Sequence, residues 1–280
     1  QPRLKITILE RGFIPAGAST RNAGFACFGS PTELLHDKEA LGEDRMWNIV
    51  EMRYKGIEKT RRTFGKEAIG FEYCGGYEVY RPGKNDTAFT EQVNWLNTGL
   101  SKITGKRNCF KWDNEKLDHF GFSGFGSMIE NELEGYLHSG KLLQVLLQKV
   151  QTLGVQVFTN AEVTGWNNVN GKTIVNCKGD WNFSTDRLLV CANAFTSTLC
   201  PGVNVVPARG QVVLTEPVEG LKMKGTFHFE QGYYYFRNLD DRVLLGGARN
   251  KAFEAEQTTA METSKQIQSE LENLSSEHLL

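Results

Sequence analysis

The sequence predicts an α/β protein in which a parallel α/β layer alternates along the chain with an antiparallel sheet carrying helices. Three observations carry that expectation. Residues 4–9 (LKITIL) form an apolar run closed by Glu10-Arg11-Gly12, the pattern of a buried strand with an acid at its carboxyl end. Residues 71–80 instead have a period near two with a Gly75-Gly76 break, and 205–215, 232–237 and 242–246 are further strand candidates. The 29 glycines cluster at turns that follow strands. Residues near 1–30 and 136–200 read as the parallel layer and those near 66–134 and 204–255 as the antiparallel one, so two domains interleave.

In chain order, a small-residue loop at 15–25 follows the first strand, and the pattern turns helical from about 31 to 64, with Trp47, Val50, Met52, Tyr54 and Ile57 among charged residues. Residues 87–104 read as a second helix. Segment 107–133 mixes short apolar and glycine-rich pieces and resists assignment. The clearest helix covers about 140–153. Ser139 is its candidate N-cap, Leu142, Leu143, Leu146, Val150 and Leu153 are its apolar face, and Gly154 is its left-handed stop. A strand at 155–159 comes next. Strands at 162–169 and 172–177 then flank Asn170-Gly171, a strong hairpin signal. Residues 187–192 (RLLVCA) read as another buried strand, and 261–274 as an exposed helix.

Composition narrows the functions. At 40% hydrophobic and 23% charged, the 280 residues are typical of a soluble globular protein. A formal net charge of −1 gives no electrostatic reason to expect nucleic acid or a membrane surface as partner. No apolar stretch approaches the roughly 18 residues that span a bilayer. No basic segment precedes an apolar core as in a signal peptide, so the expected location is the cytoplasm. Cys27, Cys74, Cys109, Cys177, Cys191 and Cys200 are scattered without C-x-x-C spacing, which argues against zinc and for free thiols in a reducing compartment. The chain has no Met at its start and enters a strand almost at once, as expected of a sequence cut from a longer one. Oligomeric state is not legible.

In a dinucleotide-binding unit, an acid at the end of the second strand accepts hydrogen bonds from ribose hydroxyls. Glu10 suits that role, although an acid there can equally solvate a strand end. The loop that follows (GASTRNAGF, residues 17–25) strengthens the first reading. Its small side chains admit a flat ligand, and Ser19, Thr20 and Asn22 can donate to phosphate or ring oxygens.

ILERGFIPAGASTRNAGF resembles the segment after the dinucleotide fingerprint in the D-amino acid oxidase family of flavoproteins, which includes the glycine and sarcosine oxidases. LHSGKL at 137–142, GVQVFTNAEV at 154–163, LVCANA at 189–194, VPARGQ at 206–211, residues 233–237 and LGGA at 245–248 resemble later family segments in the right order. The resemblance implies a Rossmann-like FAD/NAD(P)-binding domain (1–65 and 135–203, incomplete) interleaved with an α+β, antiparallel-sheet substrate-binding domain (66–134 and 204–280). It implies FAD held by Glu10, Arg11, Ser19, Thr20, Arg21, Asn22, Ala23, Gly24, Phe25, Val163, Ala192 and Asn193. It places the family's G-x-G-x-x-G segment upstream of residue 1, and a segment carrying a carboxylate-binding arginine beyond Leu280.

The implied reaction moves a hydride from the carbon beside an amine to flavin N5, oxidising a C–N bond, and needs no strong acid or base. That agrees with five histidines of which none is paired with Ser or Cys in a nucleophile motif. Tyr233, Tyr235, Arg237 and Arg249 are the candidate substrate contacts, with Tyr233 and Tyr235 on one strand face; either tyrosine can equally belong to the core. Arg209 is expected to stabilise the sheet or the flavin edge. A small amine, an amino acid and a hydroxy acid all remain open as substrate. Two alternatives stand beside the oxidase: a 2-hydroxy-acid dehydrogenase on the same fold, and a non-catalytic flavoprotein-like fragment pairing through open sheet edges.

Overall fold

A computed structural model describes residues 4–84 and 86–279. In chain order its elements are β1 (Thr7–Leu9), β2 (Phe25–Ala26), α1 (Pro31–Leu41), α2 (Glu43–Phe64), α3 (Lys66–Ile69), β3 (Gly76–Tyr80), α4 (Thr87–Thr104), β4 (Phe110–Trp112), α5 (Asn114–Phe120), β5 (Ser127–Asn131) and β6 (Gly135–Tyr136). There follow α6 (Ser139–Thr152), β7 (Gln156–Phe158), β8 (Val163–Val169), β9 (Lys172–Cys177), β10 (Trp181–Thr185), α7 (Thr196–Leu199), β11 (Val212–Leu214), β12 (Thr226–Phe229), β13 (Tyr234–Leu239), β14 (Arg242–Gly247) and α8 (Lys265–Leu274). The chain forms two compact units: residues 1–22, 139–209 and 255–261, and residues 23–138, 210–254 and 262–280.

In the first unit β1 and β7 pair in parallel, with Ile8 opposite Val157. Strands β8, β9 and β10 form a separate antiparallel sheet. The turn between β8 and β9 holds Asn170 and Gly171 at φ +50° and +75°, the left-handed pair that a two-residue hairpin needs. Gly154 stops the preceding helix at φ +78°. Ser139 is that helix's first residue rather than its N-cap, and the helix fully buries none of its side chains. Residues 187–192, expected as a buried strand, pair with no strand among the described residues, and Leu189 is 84% exposed. Apolar composition alone does not supply a ladder partner.

The second unit is built on a seven-stranded mixed sheet in the order β11-β14-β13-β12-β3-β5-β4, parallel only between β12 and β3. One face carries Tyr77, Phe227, Phe229, Tyr234, Phe236, Val243 and Leu245 and packs against α5 and α8. Helix α8, expected to be exposed, buries Ile267, Leu271 and Leu274 there; its apolar residues fall on one stripe of an otherwise polar segment. At the β3-β5-β4 end, Tyr80, Phe110 and Ile129 join a second core with α1, α2 and α4 through Leu34, Met46, Val50, Leu96 and Leu100. This core draws residues 23–65, expected with the cofactor half, into the second unit.

The sheet also fixes the start of α1. Pro31 occupies its first turn, and Ser30 makes no side-chain cap. Glu78 supplies the cap instead: its Oε2 accepts from the Thr32 N–H (3.0 Å) and the Tyr80 hydroxyl (2.7 Å), and its Oε1 from the Thr32 hydroxyl. A carboxylate over a helix N-terminus satisfies orphan donors and complements the helix dipole.

Candidate functional site

Among the predicted cofactor residues of the first unit, Glu10 and Arg11 stand at the end of β1. Glu10 continues the ladder by donating its N–H to Phe158 O (2.8 Å) and accepting from Ala161 N at its carbonyl (2.9 Å). Its Oε1 accepts from Gly12 N at 2.8 Å. A side chain at Gly12 would stand 2.8 Å from Ile14 O and 3.3 Å from Glu10 Oε1, so the turn after the acid requires glycine. One Glu10 oxygen is thereby oriented, and the other makes no bond among the described residues. Such a half-satisfied acid at a strand's carboxyl end fits a ribose diol.

Arg11 lies over the Phe195 ring at 3.8 Å, which ties this turn to the short 3₁₀ turn Asn193–Phe195 that follows Ala192. Asn193 has φ +46°. Val163 opens β8, beside a bulge.

The 17–22 loop is a compact turn. Thr20 donates its N–H and hydroxyl to Gly17 O, both at 3.0 Å. Asn22 donates to Ala18 O (2.9 Å) and Ser19 O (3.2 Å) and accepts from the Ser139 hydroxyl (2.7 Å). Asn22 and Thr20 therefore hold the loop's shape, while Ser19 and Arg21 are exposed. A buried ion pair closes the same unit. Arg209 Nε and Nη2 donate to Glu256 Oε2 and Oε1 at 2.7 and 2.9 Å, with the Glu256 side chain 1% exposed. Arg209 thus anchors residues 255–261.

Ala23, Gly24 and Phe25 belong to the second unit. Gly24 is buried at φ +73°, its carbonyl accepting from Leu137 N (2.8 Å), and Phe25 pairs with Tyr136 across β2 and β6.

Two of the substrate candidates, Tyr235 and Arg237, lie on the sheet face opposite the aromatic core. Register puts Glu78, His228, Tyr235 and Gly246 in one cross-strand row and Gly76, Thr226, Arg237 and Leu244 in the next. Alternation sends Tyr234 into the core, 4% exposed, and Tyr235 to this polar face. Tyr233, expected on the same strand face as Tyr235, instead precedes β13 and packs against the aromatic core, its ring edge-on to Phe253. Two glycines make room for these tyrosines. A side chain at Gly246 would meet the Tyr235 ring, and one at Gly247 (φ +122°) the Tyr233 carbonyl. Arg249 lies over Phe253 at 5.2 Å, away from the strand positions.

Arg237 is the unusual member. Its guanidinium sits 4.4 Å from the Tyr136 ring centroid and the residue is 6% exposed, yet it makes no ion pair among the described residues and its Nε is buried without a hydrogen-bond partner. Burial lowers its pKa from the usual arginine value. His228, absent from the sequence-derived candidates, is its diagonal neighbour. It is 7% exposed, and Phe25 stands edge-on to both His228 and Tyr235 at 5.3 and 5.9 Å. A lone histidine in an FHF run carries no motif, so only the ladder register reveals it.

Glu134 is buried against this face, over Gly76. It accepts from Phe28 N at 2.8 Å and occupies the space that a side chain at Gly76 would need; burial pushes its pKa up to about 8. Among the described residues no group of three or more His, Cys, Asp or Glu is placed to hold a metal, and no helix is long and apolar enough to cross a membrane.

A family model described as FAD dependent oxidoreductase matches residues 1–278. The probable oxidoreductase OrdL of Haemophilus influenzae is 23% identical over 257 residues, which cover 86% of this chain and 59% of that protein. The chain thus spans less than two thirds of the length of the curated relative it matches. Among solved structures, L-proline dehydrogenase from P. horikoshii has a TM-score of 0.73 at 15% identity, over 98% of this chain and 70% of that one. Glycine oxidase from Geobacillus kaustophilus has a TM-score of 0.67 at 16% identity, over 99% and 72%. Iminodiacetate oxidase from Chelativorans sp. has 0.65 at 15%, over 98% and 72%. At these identities the likeness shows a shared fold.

Proposed function

This chain belongs to the FAD-dependent oxidoreductase family, and from that membership we propose that it oxidises the C–N bond of a small amino acid or related amine. The observation that carries the reading is Arg237. A buried guanidinium that makes no ion pair among the described residues and has an unpartnered Nε is costly to keep. A ligand carboxylate repays that cost, because charge-assisted hydrogen bonds to a planar fork are the strong ones. The glycine oxidase and iminodiacetate oxidase among the structural relatives are named for substrates that carry both an amine and a carboxylate.

The roles divide by unit. In the first, Glu10 would accept from the cofactor ribose through the oxygen that Gly12 leaves free, with Arg11, Ser19 to Asn22, Val163, Ala192 and Asn193 as further contacts. Bound FAD supplies the two-electron acceptor that no side chain offers. In the second, Arg237 fixes the substrate's acid end, and Tyr235 gives an apolar wall with one hydroxyl for a hydrogen bond. Tyr136 and Phe25 close the polar row with aromatic surface. Tyr233 and Arg249 both pack against Phe253, outside this row.

The test is a substrate panel of amines, amino acids and 2-hydroxy acids on the full-length gene product. Turnover confined to amino acids or N-substituted amino acids supports the reading. Turnover confined to hydroxy acids, or absence of bound flavin, contradicts it.

A further inference from the structure

The polar row holds a second buried group without a partner. The His228 Nε2 is buried and makes no hydrogen bond. The groups around it are now specific. Tyr235 lies opposite on β13 and Glu78 opposite on β3, while Phe25 stands edge-on. The Glu33–Arg53 ion pair of α1 and α2, at 2.8 Å, contributes opposing charges. Glu78 is occupied by Thr32 and Tyr80. Burial dominates and holds His228 below the usual histidine pKa, so its imidazole is neutral near pH 7, with one nitrogen donating and one accepting.

Placement relative to Arg237 gives this orphan a use. Thr226 faces Arg237 and His228 faces Tyr235 across the same antiparallel pair, so His228 and Arg237 are diagonal neighbours on one face. Diagonal positions in such a ladder are about 7–8 Å apart. An amino acid offers its amine to one such side chain and its carboxylate to the other, with a hydrogen bond of about 2.9 Å at each end. A monoamine leaves Arg237 unsatisfied, and a simple carboxylic acid leaves His228 unsatisfied.

We propose that His228 is a substrate-contacting residue whose Nε2 accepts a hydrogen bond from the substrate amine, so that His228 and Arg237 together select molecules with an amine and a carboxylate on the same carbon. This rests on the oxidase reading above. The contact involves no net proton transfer: the imidazole holds the nitrogen in place by its lone pair. Protonating His228 removes the acceptor, so acid should weaken capture of substrate through the free enzyme.

The experiment uses the full-length flavoprotein with the best amino acid of the panel and the acid that lacks its amine, comparing wild type, His228→Leu and His228→Gln. In wild type, kcat/KM should fall in acid, at a pH below the ordinary histidine value of about 6.5, because burial lowers this imidazole. His228→Leu should raise KM for the amino acid by about tenfold or more, the worth of one hydrogen bond. The dissociation constant of the amine-free acid, read from the flavin spectrum, should change less than twofold. His228→Gln, which keeps an acceptor, should recover part of the loss, and neither variant should show the acid limb. The proposal is overturned if the amino acid and the amine-free acid lose affinity together, or if the acid limb persists in His228→Leu. A wild type that oxidises no amino acid defeats the oxidase reading itself and is seen before any variant is made.

Discussion

Gly246 lies directly across the ladder from Tyr235, and a methyl group at Gly246 would stand 2.5 Å from the Tyr235 ring. Gly246 is not in the left-handed region, so space alone excludes a side chain. Gly246→Ala should therefore displace Tyr235. The expected cost is about 1–3 kcal/mol of stability from overpacking, with a raised KM for the amino acid. Tyr235→Ala in the same chain should relieve the crowding, so the double variant should be less destabilised than the sum of the singles. Thermal or urea denaturation of the four proteins checks this. Strict additivity would place Tyr235 away from Gly246.

Glu134 makes stability depend on pH. Its ordinary carboxyl value of 4.5 is raised to about 8 by burial. For an acid raised in the folded state, the stabilising contribution is present below the unfolded value and is lost as pH rises through the folded one. Stability should fall between about pH 4.5 and 8, by a few kcal/mol at most, at about 1.4 kcal/mol per pH unit. Glu134→Gln keeps an acceptor for Phe28 N and removes the titration, so its urea midpoint should lose that slope. An unchanged slope would assign it to other groups.

Much of the fold was legible in the sequence because the signals were local. Asp86 accepts from Phe89 N at 2.8 Å and Gly105 ends the same helix in a left-handed turn, both short-range features of the 87–104 segment. The Asn170-Gly171 hairpin is equally local. What escaped was long-range. Strand β12 is invisible until Phe227 meets Phe236 and Tyr77 across the sheet. Residues 187–192 show the converse, apolar enough for a strand but without a ladder partner among the described residues. In the candidate site, Glu10, Tyr235 and Arg237 could be named from motif and alternation. His228, Glu78 and Glu134 could not, since each acts on residues from distant parts of the chain: Glu134 lies 106 positions from Phe28 and Glu78 46 from Thr32.

Glu10 offers a test of the cofactor side. Its Oε1 is held by Gly12, so Glu10→Ala removes an oriented acceptor without altering β1. In the full-length protein this should weaken FAD binding by about 1–3 kcal/mol, the range for stranded polar partners. Equilibrium dialysis or flavin fluorescence measures it. Unchanged affinity would show that Glu10 only turns the chain.

The account depends most on Arg237 as the site of a substrate carboxylate. The direct measurement is kcat/KM for an amino acid and for the corresponding amine without its carboxylate, in the full-length flavoprotein and its Arg237→Leu variant, with flavin content checked by absorbance. The expected result is a loss of about 10- to 100-fold for the amino acid, consistent with hydrogen bonds to a charged group, and little change for the amine. Equal losses for both substrates, or no loss for either, would contradict it.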